Sequence, residues 1–152
     1  MTTQGGIDRR AVLGLRPELA HRVAQLHEAI WSGPVSPVTL ELCRLRMATL
    51  LGSSAALAER SPAAVAAGLD ESKIAALASW PSDPAFATEE RACLALAEQW
   101  VLDAQAVTDD EVRAVTDALG SEGAVVFTTA LGVWDGQHRL DNALGVIRAG
   151  GS

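Results

Sequence analysis

The sequence predicts a single all-α domain, and three observations support this. The chain is 49% hydrophobic yet has only 2 Phe, 4 Trp and no Tyr, so that its apolar content is mostly Ala, Leu and Val. Ala and Leu are the strongest helix formers. Apolar residues recur at spacings of three and four, and no segment alternates convincingly over the length of a strand. The 152 residues are enough for one domain with its own core.

The first long helix is predicted from an apolar stripe formed by Leu19, Val23, Leu26 and Ile30. Gly33 and Pro34 end it. Ser36 and Pro37 are typical of an N-cap followed by the first helical residue. The helix that follows is apolar on more than one side and stops near Gly52, so we expect it to be central and largely buried.

Shorter elements are predicted next. A helical piece over 62–68 begins at a Ser-Pro pair, and Asp70 can cap a helix that extends to Trp80. Two prolines bound the loop that follows. Thr88 then precedes an acidic first turn, which favours the positive end of a helix dipole.

The C-terminal part of the chain is predicted to contain two more helices. The sequence T-x-x-E at 108–111 forms a capping box, and the helix that it opens ends at Gly120. The last helix covers 121–145. We expect it to be interrupted or softened at Gly132 and Gly136.

The charge excludes several classes of partner. The formal net charge is −7 and the pI is about 4.8, whereas binding of nucleic acid or of an anionic membrane surface needs a basic face. No apolar run approaches the roughly 20 residues of a membrane span, and MTTQGGIDRR at the N-terminus has no apolar signal core. We expect a soluble protein in the cytoplasm.

The two cysteines, Cys43 and Cys93, show no C-x-x-C or Cys/His spacing. Both lie among apolar helical residues, where a free Cys usually acts as a small hydrophobic side chain. A disulfide is not expected in the cytoplasm. We predict no metal site and no cofactor.

Three stretches together resemble the alkylhydroperoxidase-D and carboxymuconolactone decarboxylase family. They are LELCRLRMATLLGSSAALAER at 40–60, SDPAFATEERACLALAEQWV at 82–101, and VTDDEVRAVTDALG followed by a helix that ends in HRLDNALGV at 138–146. The resemblance implies a helical bundle over 17–148, with an N-terminal extension at 1–16 and a tail at 149–152. It also implies a homo-oligomer, a trimer or hexamer, with the site among helices of one subunit close to a neighbour.

The chain departs from the redox motif of that family. Redox members carry a Glu and, after a fixed gap, C-x-x-C-x-x-x-H. Here Ser53 follows Glu41 by twelve residues, which is the family gap, but Ser53, Ala56 and Arg60 stand at the positions of the two cysteines and the histidine. Peroxide reduction needs a thiolate and a resolving thiol. We therefore expect no thiol peroxidase activity.

Glu41 is the first candidate site residue, as a general acid or base in an apolar pocket. Its alternative is a structural ion pair with Arg44 at i+3 or with a neighbouring subunit. Ser53 and Ser54 are candidates for substrate binding, although an N-cap is the more frequent role of such serines. Arg60, with Glu59, can clamp a carboxylate or belong to a solvated helix end.

His138 is the second catalytic candidate, because the pKa of histidine suits proton transfer; a structural role is the alternative. Trp134 is a candidate for lining the pocket, against ordinary core packing. His21 and His27 on the first long helix are expected to be peripheral.

Two function classes follow from the resemblance and these residues. One is a cofactor-free enzyme, lyase- or isomerase-like, that performs acid–base chemistry on a small organic molecule near Glu41. The other is a non-catalytic small-molecule binder or an oligomeric scaffold that has lost the ancestral site.

Overall fold

The structure, a computed structural model, describes residues 7–146 as a bundle of α-helices, with one isolated backbone bridge between Ile7 and Val146 in place of a sheet. The predicted tail at 149–152 and residues 1–6 of the predicted extension lie outside this range. The helices of the described part are α1 (Arg9–Gly14), α2 (Pro17–Trp31), α3 (Pro37–Leu51), α4 (Ser54–Leu57), α5 (Pro62–Ala66), α6 (Glu71–Ala75), α7 (Thr88–Asp103) and α8 (Asp109–Leu144).

The core lies where α3 packs against α7 and α8. The sequence prediction of a central α3 is confirmed, because residues on all of its sides are buried: Thr39, Leu40, Glu41, Leu42, Cys43, Leu45, Met47 and Ala48. α7 adds Cys93, Leu94 and Leu96, and α8 adds Phe127, Leu131 and Trp134. A charged residue, Glu41, therefore lies inside an otherwise apolar helix environment.

Local caps explain several helix boundaries. Pro37 begins α3 as predicted, and Gly52 ends it in the left-handed conformation (φ 71°). The predicted capping box is confirmed: the amide of Glu111 donates to the Thr108 hydroxyl at 3.2 Å, and the amide of Thr108 donates to the Glu111 carboxylate at 2.8 Å. α1 was not predicted, although Asp8 caps it by accepting from the amide of Arg10 at 2.9 Å.

Two predicted features of the helices are wrong. α8 is broken at Gly120, where the sequence predicts a helix end, but its second part continues through Gly132 and Gly136, because a glycine with helical neighbours on both sides keeps helical dihedrals at a modest energetic cost. The segment over 70–80 is not one helix. α6 ends at Ala75, and a 3₁₀ turn at Leu77–Ser79 follows it, shortly before a proline that cannot donate a backbone hydrogen bond.

The apolar stripe of α2 is only partly covered within the chain. Ile30 is buried, whereas Leu19 and Leu26 are 53% and 41% exposed. The expectation of a homo-oligomer stays a prediction. None of the helices described between residues 7 and 146 has the length and apolar character to cross a membrane.

Two glycines of α8 provide a test of the fold, because replacing them should change the free energy of unfolding in opposite directions. Gly120 has φ 74° and ψ 169°, in a region that is essentially restricted to glycine. We expect Gly120→Ala to lower the free energy of unfolding by about 1–3 kcal/mol. Gly132→Ala should raise it by about 0.5–1 kcal/mol, because an added Cβ meets nothing within 4 Å and helix propensity improves. Urea unfolding measures both, and two changes of the same sign would contradict the helix break at Gly120.

Candidate functional site

A cavity of ≈ 680 Å³ opens where four parts of the chain converge. Its wall comes from the start of α1, one face of α2, the end of α8 and the loop between α4 and α5, with Arg44 of α3 behind that loop. The lining residues that matter for the chemistry are Arg9, Arg10, His27, Trp31, Arg44, Glu59, Arg60, Ser61, Trp134 and His138. Its volume is suited to a small organic molecule.

Glu41 and Arg44 form a buried, bidentate ion pair behind this wall. Arg44 Nε donates to Glu41 Oε2 at 2.8 Å, and Arg44 Nη2 donates to Glu41 Oε1 at 2.5 Å. The same guanidinium donates to the carbonyls of Ala56 and Glu59, each at 3.0 Å. Glu41 Oε1 also accepts from the amide of Ser61 at 3.1 Å. The pair therefore attaches the loop between α4 and α5 to α3.

His138 is the polar group of the wall that the fold leaves unsatisfied. It is 1% exposed, and neither ring nitrogen has a well-formed hydrogen bond within residues 7–146. Burial, followed by the positive charge of Arg44, lowers the pKa of His138 to about 4; the backbone of Arg44 and the carboxylate of Asp141 oppose this lowering in part. At neutral pH the imidazole is thus uncharged, with one N–H donor and one acceptor nitrogen.

Two tryptophans form the apolar side of the cavity. Trp134 lies one helical turn before His138 on α8, and Trp31 of α2 faces it with ring centroids 6.0 Å apart and planes tilted by 44°. His27 lies one turn before Trp31. The expectation that His27 is peripheral is wrong, because α2 turns this face towards the cavity.

Arg60 lies at the rim of the cavity, the position that its predicted role of clamping a carboxylate requires. Its Nε and Nη2 donate to Glu71 at 2.9 and 3.2 Å, and its Nη1 donates to two backbone carbonyls. Glu71 is exposed and the ion pair is open to water, so a ligand anion can compete for this guanidinium at low cost.

The other predicted residues lie outside the wall. Ser53 is buried and caps α4 by accepting from the amide of Ala56 at 3.4 Å, so the N-cap expectation is confirmed. Ser54 is the exposed first residue of α4. Glu41 lies one layer behind the wall, covered by Arg44. The structure brings together Arg60, Trp134 and His138, whose roles towards a ligand stay predictions.

The N-terminal segment also contributes to the site, which the sequence did not predict. Arg9 of α1 makes a bidentate ion pair with Asp141 of α8, through Nε to Oδ1 at 2.8 Å and through Nη2 to Oδ2. Asp141 is 2% exposed. Asp141 follows Trp134 and His138 at helical spacing and so lies on the same face of α8. This spacing could have identified Asp141 as a residue of the site.

The cysteines are not part of the cavity. Cys43 and Cys93 are fully buried free thiols. Burial raises the pKa of Cys43 well above its ordinary value and that of Cys93 to about 12. Within residues 7–146, no three His, Cys, Asp or Glu side chains lie close enough together to hold a metal ion.

We expect Glu41→Gln to lower the free energy of unfolding by about 3–5 kcal/mol, because it leaves the Arg44 guanidinium buried without a counter-charge. Asp110→Asn is the matched control. It breaks an ion pair of the same i,i+3 spacing with Arg113, but on the exposed surface, and should cost less than about 1 kcal/mol. Urea unfolding of both variants checks this. Equal losses in the free energy of unfolding would show that the buried pair contributes no more to stability than the exposed pair.

His138 should make the protein sensitive to acid. Its pKa is about 4 in the folded chain and about 6.5 when unfolded. As pH falls from 6.5 towards 4, the unfolded chain binds a proton that the folded chain does not, so stability is lost over this window. At pH 4.5 the loss is about 2 kcal/mol. His138→Gln should lose less stability than the wild type between pH 6.5 and pH 4.5 in urea unfolding. Equal losses would contradict a buried neutral imidazole.

Comparisons with known proteins agree with this architecture. The structure is similar to a crystal structure of a protein of unknown function from Agrobacterium tumefaciens, described as a candidate antioxidant defence protein AhpD; the TM-score is 0.80 at 20% identity, over 95% of this chain and 100% of that one. A search of curated protein sequences finds no relative. A family model matches residues 17–99, more than half of the chain. The chain therefore belongs to the carboxymuconolactone decarboxylase family, as a member whose two cysteines do not form a C-x-x-C pair.

Proposed function

We propose that this protein binds a small organic molecule in the cavity beside His138 and performs cofactor-free acid–base chemistry on it, of the lyase or isomerase type. One observation carries the proposal: a fully buried imidazole at the cavity wall has no well-formed hydrogen bond among residues 7–146. Leaving a buried polar group unsatisfied costs about 1–3 kcal/mol, so an imidazole at a cavity wall without a partner in the chain is suited to bind a ligand or water there.

The neutral imidazole suits the part of a proton acceptor. With its pKa lowered to about 4, His138 keeps a free lone pair at neutral pH. A ligand that carries a negative charge into the cavity would raise this pKa and draw a proton onto the ring. The Trp31 and Trp134 side chains would hold the apolar body of the ligand, and Arg60 at the rim would bind an anionic group.

Glu41 has an indirect role in this proposal. Both of its oxygens are bound, one by Arg44 alone and the other by Arg44 and the amide of Ser61. The carboxylate therefore positions Arg44 and the loop that carries Arg60. We assign it a positioning role, while proton transfer belongs to His138.

The proposal excludes thiol peroxidase activity. Only a thiolate attacks peroxide efficiently, and burial raises the pKa of both Cys43 and Cys93. Neither thiol reaches the cavity wall. In the family motif, the positions of the redox pair hold Ser53 and Ala56.

A non-catalytic binder is the second candidate function. A group with a pKa of about 4 is a weak base at neutral pH, and the wall arginines 9, 44 and 60 already have partners within the chain. Such a cavity can retain a ligand without transforming it. A pH-dependent turnover that depends on His138 would favour the enzyme, and affinity without turnover would favour the binder.

A thermal-shift screen of small organic acids, lactones and apolar metabolites tests the site. We expect a ligand that stabilises the wild type but has little effect on His138→Gln. His21→Gln is the matched control, because His21 is an exposed histidine of α2 outside the cavity. At a hundredfold excess over the Kd, stabilisation is about 2.7 kcal/mol, or a Tm rise of about 5–10 °C at this chain length.

Ligands that stabilise wild type and His138→Gln equally would place the site elsewhere. If no compound in the screen binds, the interpretation of the protein as a scaffold is better supported than that of an enzyme or a binder. A ligand that meets the expectation then becomes the starting compound for a turnover assay across pH.

A further inference from the structure

The N-terminal segment, residues 8–14, forms one side of the cavity and lies outside the core. Asp8, Arg9 and Arg10 line the cavity, whereas α1 contributes no buried residue to the core. Besides the packing of α1 on α2, the side chain of Arg9 attaches the segment to the rest of the fold. Beyond its pair with Asp141, Arg9 Nη1 lies 3.8 Å from Glu59 Oε2 in the loop between α4 and α5.

The partner of Arg9 is one of two carboxylates of α8 that lie three residues from His138; the other, Asp135, pairs with Arg139. Asp141 follows His138 by three residues, which places the two side chains on one helix face with Cβ atoms about 5–6 Å apart. Within the described residues, Asp141 makes its side-chain hydrogen bonds to Arg9 alone. Arg9 therefore holds the carboxylate that would otherwise be available to the imidazole.

Charged groups face His138 from each element around it. Arg44 approaches from α3 and Arg9 from α1, and both disfavour a proton on the ring; Asp141 of its own helix favours one. The loop adds Glu59 and Arg60, and α2 adds His27. The pKa of His27 is lowered by burial and by the charge of Arg9, so Arg9 acts on both cavity histidines.

We propose that Arg9 is a positioning residue that controls the proton on His138: while the N-terminal segment is docked, Arg9 pairs with Asp141 and the imidazole stays neutral, and when the segment leaves the cavity, Asp141 becomes free to stabilise a protonated imidazole. The same movement opens one side of the cavity to a ligand. The importance of this control for function rests on the proposed acid–base role of His138, whereas the control itself does not require a ligand.

The test is an NMR titration of the histidine side chains in ligand-free, isotope-labelled protein. We expect Arg9→Gln to raise the pKa of His138 from about 4 by at least about one unit, a tenfold gain in proton affinity. Arg16→Gln is the matched control. Arg16 is an exposed arginine shortly after α1 that does not line the cavity and makes no ion pair with Asp141, so the pKa of His138 should stay unchanged.

The double variant Arg9→Gln/Asp141→Asn separates this mechanism from simple hydration of the ring. Loss of the segment alone would raise the pKa of His138 equally in the single and double variants. Under the proposal, the double variant has a clearly lower pKa than Arg9→Gln. An unchanged pKa in Arg9→Gln, or equal values in the two variants, would overturn the proposal.

Asp141→Asn gives a further arm if Arg9→Gln fails to fold. It keeps Arg9 but removes the carboxylate, so the pKa of His138 should not rise, and a rise would overturn the proposal. The outcomes remain distinguishable from those of the ligand screen. A raised pKa of His138 in Arg9→Gln, together with no hit in the ligand screen, would support the control by Arg9 and count against the proposed function. An unchanged pKa, together with a hit in the screen, would reject only the control.

Discussion

The buried ion pair between Glu41 and Arg44 is the interaction on which the rest of the structure depends. Removing two charges from water costs several kcal/mol per ion, and only good geometry with further hydrogen bonds offsets that cost. Here the offset comes from α4 and the loop that follows it: the carbonyls of Ala56 and Glu59 accept from Arg44, and the amide of Ser61 donates to Glu41. The pair is stable only when this loop is folded against α3, and the folded loop supplies one wall of the cavity.

The same arrangement explains why the chemistry of the cavity centres on an uncharged group. The wall arginines of α1, α3 and the loop are paired with Asp141, Glu41 and Glu71 respectively. Burial, together with the positive charges of Arg44 and Arg9, lowers the pKa of His138 and keeps it neutral. The cavity thus has in its wall a buried, uncharged imidazole beside the apolar side formed by Trp31 and Trp134, while both thiols of the chain lie in the core.

Sequence patterns predicted the local structure well because caps and periodicity are local effects. The box at 108–111, Pro37 and Gly120 marked true boundaries, and the apolar surround of α3 marked the core. The site was predicted only in part. Trp134, His138 and Arg60 share a cavity, but the contact between Arg9 and Asp141 spans 132 positions and leaves no local trace. The exposed glycines of α8 were misleading because glycine also occurs in unbroken helices.

The two ion pairs near His138 differ in what must move for their charges to separate. Glu41 and Arg44 belong to one buried helix, so separating them would require unfolding the loop and exposing α3. Arg9 belongs to a short helix that buries none of its residues. That helix packs against α2 and is held further by the pair with Asp141, by a distant contact with Glu59 and by the backbone bridge between Ile7 and Val146. Undocking this segment leaves the core intact, because α1 contributes none of the buried core residues. The cavity therefore has one wall fixed by the core and one that can leave without disturbing the core, and His138 lies between them.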